Sequence, residues 1–245
     1  MTRTVRSFSD ASTRYNEHAG VQKAVAADLA AEVDLKAGQV VLDAGTGTGF
    51  LLDELRSRGS GAFLIGVDAS MAMLSAGSGV RVGADILRLP FKDESLDLVV
   101  SSSCYQWAPD LGEAFAEVHR VLKPGGRFQA ALFGSGTMKE FRESFAAGAS
   151  GPAGALALRP LPSCEDAGVA VAMAGFSVLE FKEEARRGCF ASVRDAWRWL
   201  QAVGANALGE RVVIGRQTLL RAEAHYAAHG DGRMTFAVIT INAQK

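Results

Sequence analysis

The chain has 245 residues, of which 48% are hydrophobic and 22% are charged, and its formal net charge at pH 7 is −1. These values are typical of a globular protein with a sizeable core, and they provide no overall positive field that would favour nucleic acid or an anionic membrane as a partner. The cysteines (Cys104, Cys164 and Cys189) are far apart and odd in number, so we expect neither a disulfide framework nor a metal site, and we expect a cytoplasmic location. We also expect no signal peptide and no membrane span.

The first half of the chain alternates between helical and strand patterns. Apolar residues at every fourth position from Val21 to Val33 predict a helix over 14–33, and a buried strand from Val40 runs into a glycine-rich turn. The other predicted strands are 62–67, 80–84, 96–100, 127–133, 176–181 and 234–240. The other predicted helices are 50–58, a short one after Ser70, 111–122, one around Phe141 and Phe145, 192–203 and 215–228, with a turn at 123–126 and a loop at 149–162.

Strands that alternate with helices predict an α/β fold with a doubly wound, mostly parallel seven-stranded sheet. The two helices before the final strand exceed what a simple crossover requires, so we interpret them as a helical lid over the ligand-binding edge. No linker divides the chain, which predicts a single domain over 1–245. Its parts are an N-terminal helical cap (1–38), a cofactor-binding core (39–134) and a C-terminal half with the lid (135–245).

The glycine-rich turn after the first strand is the most informative motif. Gly45, Gly47 and Gly49 permit close approach of the backbone to a ligand. A dinucleotide fingerprint needs a glycine at position 50, which is occupied by phenylalanine. Asp43 precedes the turn, where a carboxylate suits a ligand with an amine and a sulfonium and suits a pyrophosphate poorly. Asp68 ends the next strand, where a carboxylate can accept hydrogen bonds from ribose hydroxyls.

These motifs resemble those of class I S-adenosylmethionine-dependent methyltransferases, and the resemblance covers roughly residues 40–133. It rests on 41–49, 66–71, Asp85 with 89–91, 93–97 and 122–126. The resemblance implies that Asp43 and the glycines hold the methionine end of the cofactor, Asp68 holds the ribose, Met71 covers the adenine, and Asp85 with Ile86 meets the adenine edge. The candidate cofactor-binding residues are Asp43, Gly45, Gly47, Gly49, Asp68, Ser70, Met71, Asp85, Ile86 and Ser102.

A narrower resemblance extends over nearly the whole chain. The opening segment 8–22, the Tyr105-Gln106-Trp107 triplet, residues 199–206 and the final strand are similar to the malonyl-acyl-carrier-protein O-methyltransferases of biotin synthesis. The pair Ser102-Ser103 departs from the asparagine-leucine pair that relatives often carry. The candidate catalytic residues are Tyr15, His18, Gln106 and Trp107, and the spacing of Tyr15, His18 and Gln22 predicts that they share a helix face.

The resemblance implies methyl transfer from S-adenosylmethionine to the free carboxylate of malonyl-acyl-carrier protein or malonyl-CoA, without a nucleic-acid or membrane partner. A carboxylic acid titrates near ~4, so the acceptor is ionised at pH 7 and needs no general base. The alternatives are a methyltransferase for a quinone precursor or another small acid, and a non-catalytic protein that binds the cofactor.

Arginine is the natural bidentate partner of an acceptor carboxylate. The candidates for this contact are Arg159, Arg142 and Arg211. For each of them, the alternative is an ordinary solvent-exposed arginine that binds no ligand. A second group of arginines can form a basic rim for an acidic carrier protein, or equally a solvated face. Its members are Arg186, Arg187, Arg194 and Arg198.

Overall fold

The computed structural model describes residues 2–148, 159–205 and 215–245. The strands are β1 (Val40–Ala44), β2 (Phe63–Asp68), β3 (Val80–Gly83), β4 (Leu96–Ser102), β5 (Leu122–Phe133), β6 (Ser177–Cys189) and β7 (Arg233–Gln244). The helices are α1 (Arg3–His18), α2 (Gly20–Glu32), α3 (Phe50–Ser57), α4 (Met71–Ser75), α5 (Leu111–Val121), α6 (Lys139–Gly148), α7 (Cys164–Met173), α8 (Val193–Ala202) and α9 (Arg216–His229). A 3₁₀ turn spans Tyr105–Trp107.

The strands form one seven-stranded sheet in the order β3-β2-β1-β4-β5-β7-β6. Strands β1 to β5 pair in parallel, and β7 runs antiparallel to both β5 and β6. This topology confirms the predicted fold class. The strand order reverses between β1 and β4, and in open α/β sheets ligands bind at such a reversal, outside the carboxyl ends of the strands.

Alternate residues of the central strands pack into two hydrophobic cores, one on each face of the sheet. Val41 packs with residues of α2, α3, α6, α8 and α9. Leu42, the next residue, packs on the opposite face with residues of α5 and α7. Side chains of a strand alternate between the faces, so β1 is buried on both sides and its carboxyl end is held rigidly.

The predicted helix over 14–33 is wrong in its extent. Two helices, α1 and α2, occupy residues 3–32, and the chain bends between them at Ala19, where ψ is 38°. Gly20 opens α2, and glycine is a poor helix former, which favours a break at this junction. Tyr15 and Gln22 therefore lie on different helices and do not share a helix face.

Three other boundaries differ from the sequence prediction. The predicted turn at 123–126 lies inside β5, where the register with β4 shifts between the pairs at Leu96 and Leu98. Strand β6 continues to Cys189, because it pairs with β7 along its whole length. Helix α7 was not predicted, since its run of alanine and valine has no helical periodicity, and Ser163 caps it through a reciprocal bond with Asp166. Most of the predicted loop at 149–162 lies outside the described residues.

The two helices that we interpreted as a lid have different surroundings. Helix α8 packs beside α1, and the Trp199 indole N–H donates to the His18 carbonyl at 2.9 Å. Helix α9 packs on α6, where Gly148 lies so close to Thr218 that a Cβ would clash with its carbonyl. The lid over the ligand-binding edge is therefore formed by α1 and α8. In the described part of the chain, no helix is both long and apolar enough to cross a bilayer.

Candidate active site

A cavity of about 270 Å³ opens at the carboxyl ends of β1, β2 and β4. Its walls come from all parts of the chain: α1, the glycine-rich turn, the ends of β2 and β4, and the segments around 85–87 and 107–109. The predicted site residues in its walls are Tyr15, Asp43, Gly45, Gly47, Asp68, Ser70, Asp85, Ile86, Ser102 and Trp107. The fold thus brings together most of the residues singled out from the sequence.

The glycine-rich turn has the backbone shape that only glycine adopts easily. Gly45, Gly47 and Gly49 have φ values of 75°, 55° and 103°, in the region where a Cβ is unfavourable. A Cβ at Gly45 would also collide with the Cys104 side chain. Gly45 and Gly47 line the cavity, whereas Gly49 lies outside its walls and leads into α3.

Asp43 places a buried carboxylate, without a hydrogen-bond partner among the described residues, in the cavity wall. Its side chain is buried, with 1% exposure, and neither carboxylate oxygen has a hydrogen-bond partner in the described part of the protein. Burial raises the pKa of Asp43 to about 7. An unpaired buried carboxylate is unfavourable unless a cation or hydrogen-bond donors reach it, so the wall of this cavity is suited to a ligand that carries an ammonium group.

Asp68 links the end of β2 to the glycine-rich turn. One carboxylate oxygen accepts the Gly47 N–H at 2.9 Å, and the other accepts the Ser70 N–H at 2.8 Å. Burial raises the pKa of Asp68. Each carboxylate oxygen has a second lone pair, so Asp68 can still accept hydrogen bonds from vicinal hydroxyls. The same side chain therefore shapes the turn and presents acceptors to the cavity.

The structure corrects the residue predicted to cover the adenine. Met71 is 64% exposed and lies outside the cavity, whereas Met73, two positions further along the short helix α4, lines it. The Ser70 hydroxyl accepts the Met73 N–H at 3.3 Å, which begins the helix and directs Met73 inward. Asp85, Ile86 and Leu87 line the cavity as well.

Arg81 supports the turn from behind and was not found from the sequence. Its guanidinium donates to the Gly47 carbonyl at 3.2 Å and to the Thr48 carbonyl at 3.1 Å. It comes so close to Gly49 that a Cβ there would collide with it. Arg81 thereby holds the backbone of the turn, and its charge lowers the pKa of both Asp43 and Asp68 in opposition to burial.

Helix α1 closes the cavity from the N-terminal side. Two hydrogen bonds attach it to the core: Ser9 to Ser70 at 2.8 Å and Thr48 to Asn16 at 2.7 Å. The first bond joins α1 to the start of α4, and the second joins it to the glycine-rich turn. Because these pairs are 61 and 32 residues apart in the chain, no local sequence pattern indicates them.

Aromatic side chains surround the junction between α1 and the turn. Phe8 contacts Trp107 edge-on, with 5.5 Å between ring centroids, and lies 6.4 Å from Tyr15. Tyr15 stacks on Phe50 at 5.8 Å. Burial raises the pKa of Tyr15, so its hydroxyl stays protonated at neutral pH and is available as a hydrogen-bond donor. Phe50, which excluded the dinucleotide motif, is thus itself part of the cavity wall.

A second cavity of about 60 Å³ lies beside the first. The two cavities share the wall residues Phe8, Tyr15, Gln22, Ser103, Trp107 and Arg159. The remaining walls come mainly from the 3₁₀ turn, the end of β5, the segment that leads into α6, and from α6, α8 and β7, through residues such as Met138, Trp199 and Phe236. The first cavity therefore has a neighbouring chamber at its aromatic end, large enough for a small group.

Two of the residues predicted as catalytic lie outside the walls of the first cavity. The Gln106 side chain is buried and lines only the second cavity, where its amide donates to the Ser103 carbonyl at 2.8 Å and accepts the Phe133 N–H at 3.4 Å. The His18 side chain is exposed and lines neither cavity. Only its backbone carbonyl is engaged, by Trp199. Gln106 supports the cavity wall, and His18 marks the end of α1.

Ser102 and Ser103 face the cavity at the end of β4. Both hydroxyls are buried, and neither has a hydrogen-bond partner among the described residues. Ser103 has a φ of 57°, which is unusual for a residue with a Cβ. Such backbone strain tends to occur at binding sites, and both hydroxyls are positioned to donate to a ligand.

The arginine candidates divide into two groups. Arg142 and Arg159 line the second cavity, and Arg211 lies outside the described residues. Two of the four arginines that can form a basic rim are paired with carboxylates. Arg186 pairs with Asp28, and Arg187 pairs with Asp231 at 2.6 Å and Glu140 at 3.7 Å, so their charges are engaged in the fold.

Comparison with known proteins agrees with this geometry. A family model described as a methyltransferase domain matches residues 42–130. A malonyl-[acyl-carrier protein] O-methyltransferase of Dechloromonas aromatica is 32% identical over 90% of this chain and 82% of its own length. The chain belongs to the malonyl-[acyl-carrier protein] O-methyltransferase family. A bifunctional biotin biosynthesis protein of Cellvibrio japonicus is 32% identical over 89% of this chain and 44% of its own length.

Comparison with solved structures agrees on the fold. A structure from Bacillus halodurans superposes with a TM-score of 0.63 at 16% identity, covering 91% of this chain and 99% of its own. The protein is an S-adenosylmethionine-dependent methyltransferase. The residues present fit that cofactor, since the unpaired buried Asp43 matches its ammonium group and the Asp68 carboxylate matches its ribose.

Proposed function

We propose that this methyltransferase esterifies the free carboxylate of a malonyl group carried by acyl-carrier protein. The cofactor supplies an electrophilic methyl group on a sulfonium. The chain then has to align an acceptor oxygen with that methyl group and exclude water. The aromatic residues at the junction, with Phe8, Tyr15 and Trp107 shared by both cavities, form an enclosure suited to this task.

The observation that carries the proposal is the composition of the second cavity. Its described wall contains no aspartate, glutamate, histidine, cysteine or lysine, and its charged residues are Arg142 and Arg159. An amine, hydroxyl or carbon acceptor needs a base to remove a proton. A carboxylate needs none, because it is already ionised at neutral pH. The other titratable side chain of this described wall is Tyr15, whose pKa burial raises, so it stays protonated at neutral pH. A positively charged chamber without an ionised base suits a carboxylate acceptor.

The similarity to malonyl-[acyl-carrier protein] O-methyltransferases supports the same acceptor. The general methyltransferase model ends at residue 130, yet Phe8, Arg142 and Trp199 at the second cavity lie outside it. The similarity to the Dechloromonas protein covers 90% of the chain and so extends well beyond the part that the general model matches. A methyl ester removes the charge of the malonyl group, which then passes as an ordinary acyl group in fatty-acid elongation toward a biotin precursor.

For the predicted site residues, we infer a division of roles. Asp43, the turn glycines, Asp68, Ser70 and Met73 contact the cofactor, with Asp85 and Ile86 beside them. Tyr15 and Trp107 position the acceptor. We further propose that the chain acts as one domain, since its N-terminal cap, core and C-terminal half all contribute to the two cavities. We propose a cytoplasmic location because the described cysteines are free thiols, which suits a reducing compartment.

A panel of acceptors tests the function. Malonyl-acyl-carrier protein, malonyl-CoA and a demethylated quinone precursor are each incubated with S-adenosylmethionine, and release of S-adenosylhomocysteine is measured. We expect turnover on the malonyl thioesters alone. Turnover on the quinone precursor instead would establish a different acceptor, and tight cofactor binding without turnover on any acceptor would indicate a non-catalytic binding protein.

A further inference from the structure

Arg142 and Arg159 occupy different positions in the acceptor chamber. Arg159 lines both cavities, and its guanidinium donates to the Ala108 carbonyl at 2.8 Å. Arg142 lines only the second cavity and projects from the first turn of α6. Arg142 is therefore absent from the walls of the first cavity and belongs only to the neighbouring chamber.

The charge of Arg142 is poorly compensated. Its guanidinium donates to the Ser135 carbonyl at 2.7 Å, and no carboxylate in the described residues forms an ion pair with it. Desolvation lowers the pKa of Arg142. The nearby Arg187 and Arg198 both pair with carboxylates. A partly buried guanidinium without a counterion favours an anionic ligand, because the ligand restores the missing interaction.

We propose that Arg142 binds the carboxylate that becomes methylated; this inference rests on the proposed function. One carboxylate oxygen accepts from the guanidinium, and a lone pair of the other oxygen forms the new bond to the methyl carbon. The carbon–sulfur bond breaks, its electron pair stays on sulfur, and no proton is transferred. Arg142 is thus a substrate-binding residue, and it selects acceptors that end in a carboxylate.

The same contact explains how product leaves. The ester carries no negative charge, so the ion pair with Arg142 is lost at the moment of transfer. Hydrogen bonds to charged groups contribute roughly 1.5–3 kcal/mol, which corresponds to about ten- to a hundredfold in affinity at about 1.4 kcal/mol per tenfold. The unmethylated thioester should therefore bind more tightly than its methyl ester, and this preference should depend on Arg142.

Arg142→Gln tests the contact, because it keeps most of the side-chain length and removes the charge. Calorimetry is carried out with enzyme saturated with S-adenosylhomocysteine, titrated with a minimal malonyl thioester or with its methyl ester. We expect affinity for the acid to fall by about ten- to a hundredfold, with affinity for the ester and for S-adenosylmethionine unchanged. Arg142→Lys should recover part of the loss, since it restores the charge without the bidentate geometry.

Arg198→Gln is the matched control. Arg198 is 70% exposed on α8 and pairs with Asp195 at 3.5 Å, so its replacement should leave both thioester affinities unchanged. If Arg142→Gln binds the acid and the ester equally more weakly, the inference is overturned. Such a result would indicate a packing defect, which weakens the binding of charged and uncharged ligands alike. Unchanged binding of the acid would also overturn the inference. If the wild-type enzyme fails to methylate malonyl thioesters at all, the proposed function itself is wrong.

Discussion

Among single residues, Asp43 shows most directly how the site is prepared for its ligand. Its carboxylate is buried at the end of a strand that is covered on both faces, and no described group satisfies it. Folding therefore places an unfavourable group at the cavity wall. The ammonium group of the cofactor matches it in charge and hydrogen-bonding capacity, so ligand binding relieves a cost that the unliganded protein carries.

This arrangement predicts a pH-dependent cofactor affinity. Because burial raises the pKa of Asp43 to about 7, its carboxyl group is largely protonated below that pH in the unliganded enzyme. The ammonium pairs with the ionised form, so binding at lower pH must release a proton, and affinity should fall by about tenfold per pH unit below the pKa. Affinity should be highest just above the pKa of Asp43 and fall again where the α-ammonium group of the cofactor loses its own proton, near ~8. Calorimetry across this range measures both affinity and proton release.

Asp43→Asn is the matched control for that experiment. The amide is nearly isosteric and does not titrate, so affinity should be weak and independent of pH between about 5.5 and 7.5. A wild-type affinity that stays constant over the same range would show that Asp43 is ionised before the cofactor binds.

Tyr15 carries a prediction about turnover. Burial raises the pKa of its hydroxyl, and its ring packs against Phe50 and Phe8. Tyr15→Phe removes the hydroxyl and preserves the packing. We expect kcat on malonyl-acyl-carrier protein to fall by about tenfold, the effect of losing one aligned hydrogen bond, with little change in melting temperature. Unchanged kcat under saturating substrate would assign Tyr15 to packing alone.

Residues close together in sequence were the ones most readily predicted. Asp43 and the glycines form one contiguous motif whose function depends on local backbone shape. Met73 was missed in favour of Met71 because the choice depends on how the short helix α4 turns after its cap. Arg81 has no local signal, since its role arises only where its strand passes behind the turn.

Among the secondary-structure elements, α1 governs access to the cofactor. It covers the cavity, and the hydrogen bonds of Ser9 and Asn16 hold it to the core. The cofactor and its product have to pass a wall that includes this helix. Each of these bonds contributes roughly 0.5–1.5 kcal/mol, which is small enough for the helix to move during turnover.

Removal of both bonds should speed ligand release. In Ser9→Ala/Asn16→Ala, we expect S-adenosylhomocysteine to dissociate up to about thirtyfold faster, because two bonds of about 1 kcal/mol each are lost. Trp107 lines the cavity and serves as a fluorescence reporter in stopped-flow measurements. Ser57→Ala removes an exposed hydroxyl that bonds within α3 and should leave the rate unchanged. Equal rates in all three proteins would show that α1 does not limit release.

The limits of prediction differ between elements. Most strands of the sheet were predicted correctly because their composition is clearly apolar. The order of the parallel strands follows from the way helices connect them. The bend at Ala19 was not foreseen, because the apolar spacing continues through α2 without interruption. Strand β6 was predicted too short, since its exposed, charged second half owes its structure to pairing with β7.

Across the whole molecule, distant segments assemble one continuous reaction space. The core supplies the cofactor cavity, the N-terminal helix closes it, and the C-terminal half adds the chamber that contains Arg142. The cofactor side was predictable from contiguous motifs. For the second chamber, the sequence indicated Tyr15, Gln106, Trp107 and Arg142, but not that they share one cavity, because the chamber exists only where α6, α8 and β7 meet α1 in the folded protein.

Mass spectrometry of the acceptor tests the central claim most directly. Malonyl-acyl-carrier protein is incubated with the enzyme and with S-adenosylmethionine carrying an isotopically labelled methyl group, and the acyl group is then analysed by fragmentation. We predict that one labelled methyl group appears as an ester on the terminal malonyl carboxylate. An unmodified malonyl group after complete incubation, or a label located on the carrier protein instead of the carboxylate, would contradict the account.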